Sequence, residues 1–446
     1  MIRRDILAMT GTLLFGRTGL AKLLKVIAGR RAGDAAAVSG LLAGLSGCNA
    51  ESASPRQETP TVPAWLSRIP AFQWAQIANT AMTTIRSSPD YARIQGAGLD
   101  PGDGSFGDPQ KGIYAFSGGT IKGGTTMLVF GGGGAGAWAG NEVRALDLSD
   151  DVPIWRIPVG PSPASAVWNR FAQGRSSHVY MQDGKPNARH SYWGPQFIDS
   201  HGPFANSFFI FMCGQVWETD ADMAFPDQQT VDSLDWTTRT WRAPGTHAFI
   251  PANRTWAGPW TCKHPATEDV FVATYTTVQK WSALTNAWTK VCDAPADITH
   301  RGMAAIDPDT DTILRLGWST GAVGAAFNAH AIDISTGRLT VGPLTGPAVN
   351  SIVVDSFAAI LGGLVYDPGL RCFLLFQGNG RMLKITRAAD QSWYVDFVEI
   401  AGTPPPVDTR LGQGALAGRM QYVAALKGVC ILFDYRQNAY FVRTSL

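Results

Sequence analysis

Charge is scarce in this sequence. Lys, Arg, Asp and Glu together make up 16% of 446 residues, and the net charge is only +2. So small a balance provides no field for nucleic acid or an anionic surface, and no nucleic-acid partner is expected. Histidine is rare, at seven residues, and the six cysteines show no C-x-x-C spacing. No zinc site, other metal site or cofactor ligand set is expected from them. No apolar run reaches the ~18 residues that a membrane-spanning helix needs. Glycine and tryptophan, by contrast, are abundant, at 49 and 15 residues. Glycine at that level without a G-X-Y period means many turns, hence many short strands. A hydrophobic content of 45% fits one large repeat domain or two to three ordinary ones.

Residues 128–158, LVFGGGGAGAWAGNEVRALDLSDDVPIWRIP, set the pattern. A short apolar strand runs into a glycine run. An alternating strand follows and ends at Asp147, and after a turn comes a strand around Trp155. The same order recurs from Arg189 through FFIFMCG to LDWTTRTW, and from Trp256 through VFVATY to WSALTNAW. It returns from Arg301 through the turn Asp307-Pro308-Asp309 to AIDISTGRL. A fifth unit runs through Asp367-Pro368-Gly369 and CFLLFQGNG to Trp393. Residues 419–444 make a sixth unit with room for only three strands. Repeats of about 40–50 residues with four strands each are the signature of propeller blades, which must stack to bury both sheet faces. The expected fold is therefore all-β, a six-bladed β-propeller over residues 71–446. Residues 73–82, QWAQIANTAM, are expected to supply the missing strand and close the ring.

The runs Gly131–Gly134 and GNEVRALDL, Trp155, and the endings TTRTW and TNAW resemble Kelch-type β-propellers, the group that includes galactose oxidase. The openings W-x-x-I-x-N-T at Trp74 and D-G-x-P-x-x-R-H-S-Y at Asp183 are similar to those of exported bacterial Kelch-like proteins. The resemblance implies a fold and says little about activity, since propellers host unrelated functions.

The N-terminal segment 1–48 is expected to be a helical targeting segment. Arg3-Arg4 followed by Ile6-Leu7 resembles a twin-arginine export signal, and Leu45-Ser46-Gly47-Cys48 resembles a lipobox, which implies lipidation of Cys48. The segment exceeds the usual ~15–30 residues, and Lys22, Lys25 and Asp34 interrupt it. An upstream start, an amphipathic helix near residues 14–27, or an ordinary helix with a chance cysteine are the alternatives. Residues 49–70 read as a flexible Pro/Ser/Thr-rich linker. Of the remaining cysteines, Cys213, Cys262, Cys292, Cys372 and Cys430, most sit in or beside apolar strand patterns. Cys262 and Cys292 are the pair that an oxidising compartment would allow.

The loops between second and third strands, and between blades, are the long ones. They fall on one face, the expected binding surface. Arg189, Arg301 and Arg419 open inner strands there, with His190 and His300 beside them. Tyr192, Trp193, Trp256 and Trp260 begin inner strands, Asn141 and Glu142 open a third strand, and Trp138, Trp168 and Trp217 lie in the loops. An Arg/His cluster ringed by aromatics suits a carboxylate or phosphate on a sugar. The competing reading is structural: such arginines satisfy blade-to-blade carbonyls, and such tryptophans pack.

Catalytic signatures are thin. No His/Tyr set for a copper site, no Asp-box of a sialidase and no GK[ST] after the glycine run is present. Glu218, Asp220 and Asp222 read as a solvated loop rather than a calcium site. The expectation is an exported, lipid-anchored propeller in the bacterial envelope that binds a glycan or a protein partner. The alternatives are an enzyme acting on an acidic carbohydrate through the three arginines, and a structural part of a surface or phage-like assembly.

Overall fold

The computed structural model describes residues 62–445 apart from 115–116, 133–136, 169–177, 213–215, 218–228, 252–259, 274–275, 296–297, 299, 319–326, 353–361, 379 and 407–415. The chain divides into two units, Met1–Thr59 and Pro60–Leu446, and every described residue belongs to the second. Cys48 with the rest of the targeting segment, Cys213, Trp256, Glu218, Asp220 and Asp222 lie outside the described residues.

Six sheets succeed one another along the chain, antiparallel except for one edge pair in the fifth. The first blade is β2 (Gly119–Lys122), β3 (Thr126–Phe130), β4 (Val143–Asp147) and β5 (Trp155–Val159). The second is β6 (Pro195–Ile198), β7 (Ser207–Phe211), β8 (Val231–Asp235) and β9 (Thr240–Trp241). The third is β10 (Thr261–Lys263), β11 (Val270–Ala273), β12 (Thr277–Ser282) and β13 (Ala287–Asp293). The fourth is β14 (His300–Asp307), β15 (Thr312–Trp318), β16 (Asn328–Asp333) and β17 (Leu339–Val341). In the fifth, β19 (Gly363–Asp367), β20 (Cys372–Phe376), β21 (Met382–Arg387) and β22 (Trp393–Val398) gain an unexpected fifth strand. This is β18 (Leu344–Thr345), which pairs parallel to β22. The sixth is β23 (Met420–Val423), β24 (Gly428–Ile431) and β25 (Tyr440–Arg443), completed by β1 (Trp74–Gln76).

Second strands such as TMLVF, SFFIF and CFLLF are apolar because each lies between neighbouring sheets, and their side chains form the core clusters. Aspartates at strand ends close the hairpins. The carboxylates of Asp147, Asp235 and Asp333 each accept the N–H two residues on at 2.9 Å, which is the Asx-turn device.

Ring closure follows the expectation, with a shorter strand. Trp74, Ala75 and Gln76 pair with Val442, Phe441 and Tyr440. The chain then leaves the sheet: Asn79 has φ +64° and Met82–Ser87 is a 3-10 helix, so the pairing stops well before residue 82. Residues 82–111 form short helical turns that bury Ile85, Ile94 and Leu99 against Met127, Val129 and Leu146 of the first blade. The repeat pattern assigned nothing to this excursion. The expected linker over 49–70 is folded in its last part. Leu66 is buried, Trp65 meets Phe441 edge to face at 5.2 Å, and the Trp65 indole donates to the Leu148 carbonyl at 3.2 Å.

Cys262 and Cys292 are both free and buried, as are Cys372 and Cys430. Pairing of the first two is ruled out by sheet order. They sit on β10 and β13, the two edges of one four-stranded sheet. Three strand spacings put them roughly 14 Å apart, against a disulfide limit near 7 Å between Cα atoms.

Candidate functional site

The inner strands β2, β6, β10, β14, β19 and β23 surround the ring axis. β2 packs beside β6 on one side and β23 on the other, so the ring is closed. They enclose a cavity of about 360 Å³ that receives side chains from all six blades. It reaches the turns between first and second strands, touching Gly124, Pro308, Pro368 and Ala424. This is the face with the short hairpins, opposite the long loops.

Two sides of the cavity differ. Blades four and five contribute Ala304, Ala305, Ile306, Leu364 and Val365, an apolar wall. Blades six, one and two contribute Gln421, Tyr422, Thr120 and Gln196, a polar arc. Within it, the Gln421 amide donates to the Gly418 carbonyl at 2.7 Å and the Gln196 amide to the Thr261 hydroxyl at 2.9 Å. The carbonyl oxygens of both glutamines, and the hydroxyls of Thr120 and Tyr422, make no hydrogen bond to any described residue. Burial, reinforced by the Asp367 carboxylate, pushes the Tyr422 phenol up to about 12, so it remains a neutral donor.

The charged groups at this mouth are engaged. Lys263 donates to Asp199 at 3.2 Å and to the Phe197 carbonyl, and Asp199 accepts the Gly123 N–H at 2.8 Å. Glu268 takes the N–H groups of Asp199, Ser200 and His201 at 2.9–3.1 Å; burial raises its carboxyl, but the Ser200 N–H, the Lys263 charge and His201 outweigh it and hold the group below the usual range. Tyr366 hydrogen-bonds to Asp307 of the preceding blade. These bonds clasp one blade to the next.

The residues singled out from sequence are mostly used inside the fold. Arg189 is fully buried. It donates to Asp232 at 2.9 Å, to the Asn187 carbonyl at 3.1 Å and to the Val179 carbonyl at 2.9 Å. Arg419 is buried too and donates to the Ile113 carbonyl at 2.6 Å; burial lowers it to about 10, partly opposed by Asp434. Arg189 therefore ties its own blade to the loop that enters it, and Arg419 ties the sixth blade to the segment ahead of the first, roles other than the anion clamp expected of them. Arg301 and His300 belong to β14, and their side chains lie outside the described residues.

Asn141 bridges the Ser162 hydroxyl at 3.0 Å and the Pro186 carbonyl at 2.8 Å. Glu142 accepts from the Trp138 indole at 2.9 Å and from Arg144, all three fully buried. Trp138 and Trp217, expected in the loops, and Trp193 and Trp260, expected at inner-strand starts, are all buried in the core, and Trp168 stacks on His178 with centroids 3.7 Å apart. Of the expected set, only Trp193 among the described residues lines the cavity, and Tyr192 stacks on it at 6.4 Å. The polar arc was missed. Its signal is a polar residue within an inner strand, as in GTIK, PQFI and MQYV, not at the strand's start.

His190 is buried beside the Tyr192 hydroxyl, 3.3 Å from Nδ1, and burial lowers it to about 3. The unfolded chain then binds a proton near pH 6.5 that the native state refuses until about pH 3. Its contribution is complete above pH 6.5 and is lost as pH falls through that window. A His190→Gln variant should flatten the decline of Tm between pH 7 and pH 4, read by calorimetry. An unchanged slope would remove His190 from the acid response.

No family model matches the chain, and no curated protein matches it in sequence. Solved structures do show likeness in fold. The Pan2 WD40 domain of Neurospora crassa is 11% identical over 85% of this chain and 98% of its own, with a TM-score of 0.38. A Bacteroides thetaiotaomicron protein of unknown function is 11% identical over 73% and 97%, with a TM-score of 0.31. A chain of a nidogen/laminin complex is 7% identical over 72% and 100%, with a TM-score of 0.35. The chain is a six-bladed β-propeller, a fold commonly used as a binding or scaffold module.

Proposed function

We propose that this protein is a Kelch-like binding module of the bacterial envelope, exported and tethered through a lipid on Cys48, whose ligand is a glycan or a protein partner. One observation carries the reading. The cavity on the ring axis keeps neutral hydrogen-bonding groups open, while the charged groups around it are held by other protein groups. Fixed, partly apolar walls whose charged groups are already engaged favour recognition over proton transfer. An acidic-carbohydrate enzyme built on an arginine triad is less favoured, since Arg189 and Arg419 are buried and already donate to Asp232 and to the Ile113 carbonyl.

The test has two arms. Mass spectrometry of the protein from a membrane fraction should find a diacylglyceryl-modified Cys48 at the N-terminus; an intact chain retaining residues 1–48 would overturn the tether. Glycan-array retention without product release is expected, and release of a shortened product would replace the binding module with an enzyme.

A further inference from the structure

We infer that the hairpin-face mouth of the channel takes an uncharged, hydroxyl-rich ring, the terminal residue of a neutral glycan. The inference rests on the binding-module reading and narrows it, both to a chemical class and to the face opposite the long loops.

Four residues lining the cavity from three consecutive blades carry groups with no hydrogen-bond partner among the described residues: the hydroxyls of Thr120 and Tyr422 and the side-chain carbonyls of Gln196 and Gln421. The carbonyls can only accept, so the ligand must bring O–H or N–H donors. The hydroxyls can give or take, so a ligand hydroxyl suits every member of the arc. Across the channel stand Ala304, Ala305, Ile306, Leu364 and Val365, with no side-chain polar atom among them. A pyranose has this same division, hydroxyls around its edge and C–H groups on its face. A wholly apolar ligand would leave the arc unpaired at about 1–3 kcal/mol per group.

Charge selects further. Asp199 and Glu268 line the mouth against the single cation Lys263, one net negative charge, and Lys263 already serves Asp199 and Phe197. A uronate or sialate would bring an acceptor-only anion to two acceptor carbonyls in a negative field. Neutral sugars are therefore preferred over acidic ones. The cavity, about 360 Å³, lies at the small end of the ~300–1,000 Å³ that ligand pockets span, which suits a chain end rather than a long internal stretch.

Isothermal titration of the intact protein against a panel of neutral oligosaccharides, and a matched panel ending in uronic acid, tests this. A neutral oligosaccharide should bind, with its uronate-ended counterpart at least tenfold weaker. Tyr422→Phe, which keeps the ring and removes the hydroxyl, should weaken binding roughly five- to tenfold. Ala424→Trp, at an exposed rim position, should abolish it with Tm unchanged. Neutral glycan bound equally well by both variants would put the site elsewhere and overturn the inference, leaving the binding module standing. Preference for the uronate panel would overturn the charge argument and with it the ligand class. If neither panel binds, the glycan half of the proposed function falls as well.

Discussion

Deleting residues 73–82 is expected to abolish the cooperative unfolding transition, not merely to lower its midpoint. The segment is remote in sequence from the blade it completes, yet three residues of it pair with Tyr440, Phe441 and Val442. Trp74 packs on Phe376 of the fifth blade at 5.5 Å and on Tyr440 at 6.4 Å. Thr80 adds a second seam. Its carbonyl accepts the Trp155 indole at 2.8 Å, its hydroxyl accepts the Ala439 N–H at 2.8 Å, and its N–H donates to Asn438 at 3.0 Å. The deletion thus cuts blade six from blades one and five together. Losing one large buried side chain costs about 2–5 kcal/mol, and Trp74, Ile77 and Met82 are all buried. Their sum is of the order of the whole stability of a domain, about 5–15 kcal/mol. Calorimetry should show no sharp endotherm for the deletion, and a lowered but still cooperative one for Trp74→Ala. A deletion variant melting sharply within a few degrees of the parent would show that the ring closes without this strand.

Arg144→Met should cost about 3–5 kcal/mol, read from urea unfolding midpoints. Arg144 and Glu142 are both wholly buried, joined through Nε at 2.8 Å and more closely through Nη2. Arg144 also donates to the Pro109 carbonyl at 2.7 Å, which fastens the helical excursion to the first blade. Removing the guanidinium leaves the Glu142 carboxylate in the core with only the Trp138 indole for company. Adding Glu142→Gln to Arg144→Met removes that stranded charge and should recover at least about 1 kcal/mol. A single variant within about 1 kcal/mol of the parent would contradict a desolvated pair at this position.

The same two regions show where sequence reasoning reaches and where it stops. Trp74 was legible as an outer-strand residue because an aromatic holds that place in other repeats, as Trp155 and Trp393 do. Glu142 was legible as unusual, a carboxylate between a glycine run and an apolar strand, but not as half of a buried pair. Arg144 two residues on and the Trp138 indole four residues back are local partners, but the Pro109 carbonyl that completes the buried set arrives only when the excursion folds back. Arg189 and Arg419 raise the same difficulty. An arginine opening an inner strand looks alike whether its guanidinium faces a ligand or a neighbouring carbonyl.

By itself the sequence determined the blade count, the order of the four antiparallel strands within each blade and the segment that closes the ring. Those follow from local properties: alternation, apolar runs of strand length, and Asp- or Gly-bearing turns whose chemistry acts within four residues. The tertiary structure alone decided which side chains share the axial cavity. Thr120, Gln196 and Tyr422 are separated by up to 302 residues and belong to different blades. Only the radial stacking of six twisted sheets brings their inner strands together. It also decided which charges remain available, because buried arginines and carboxylates must find partners wherever packing places them, as Arg144 does in Glu142 and the Pro109 carbonyl and Arg189 does in Asp232.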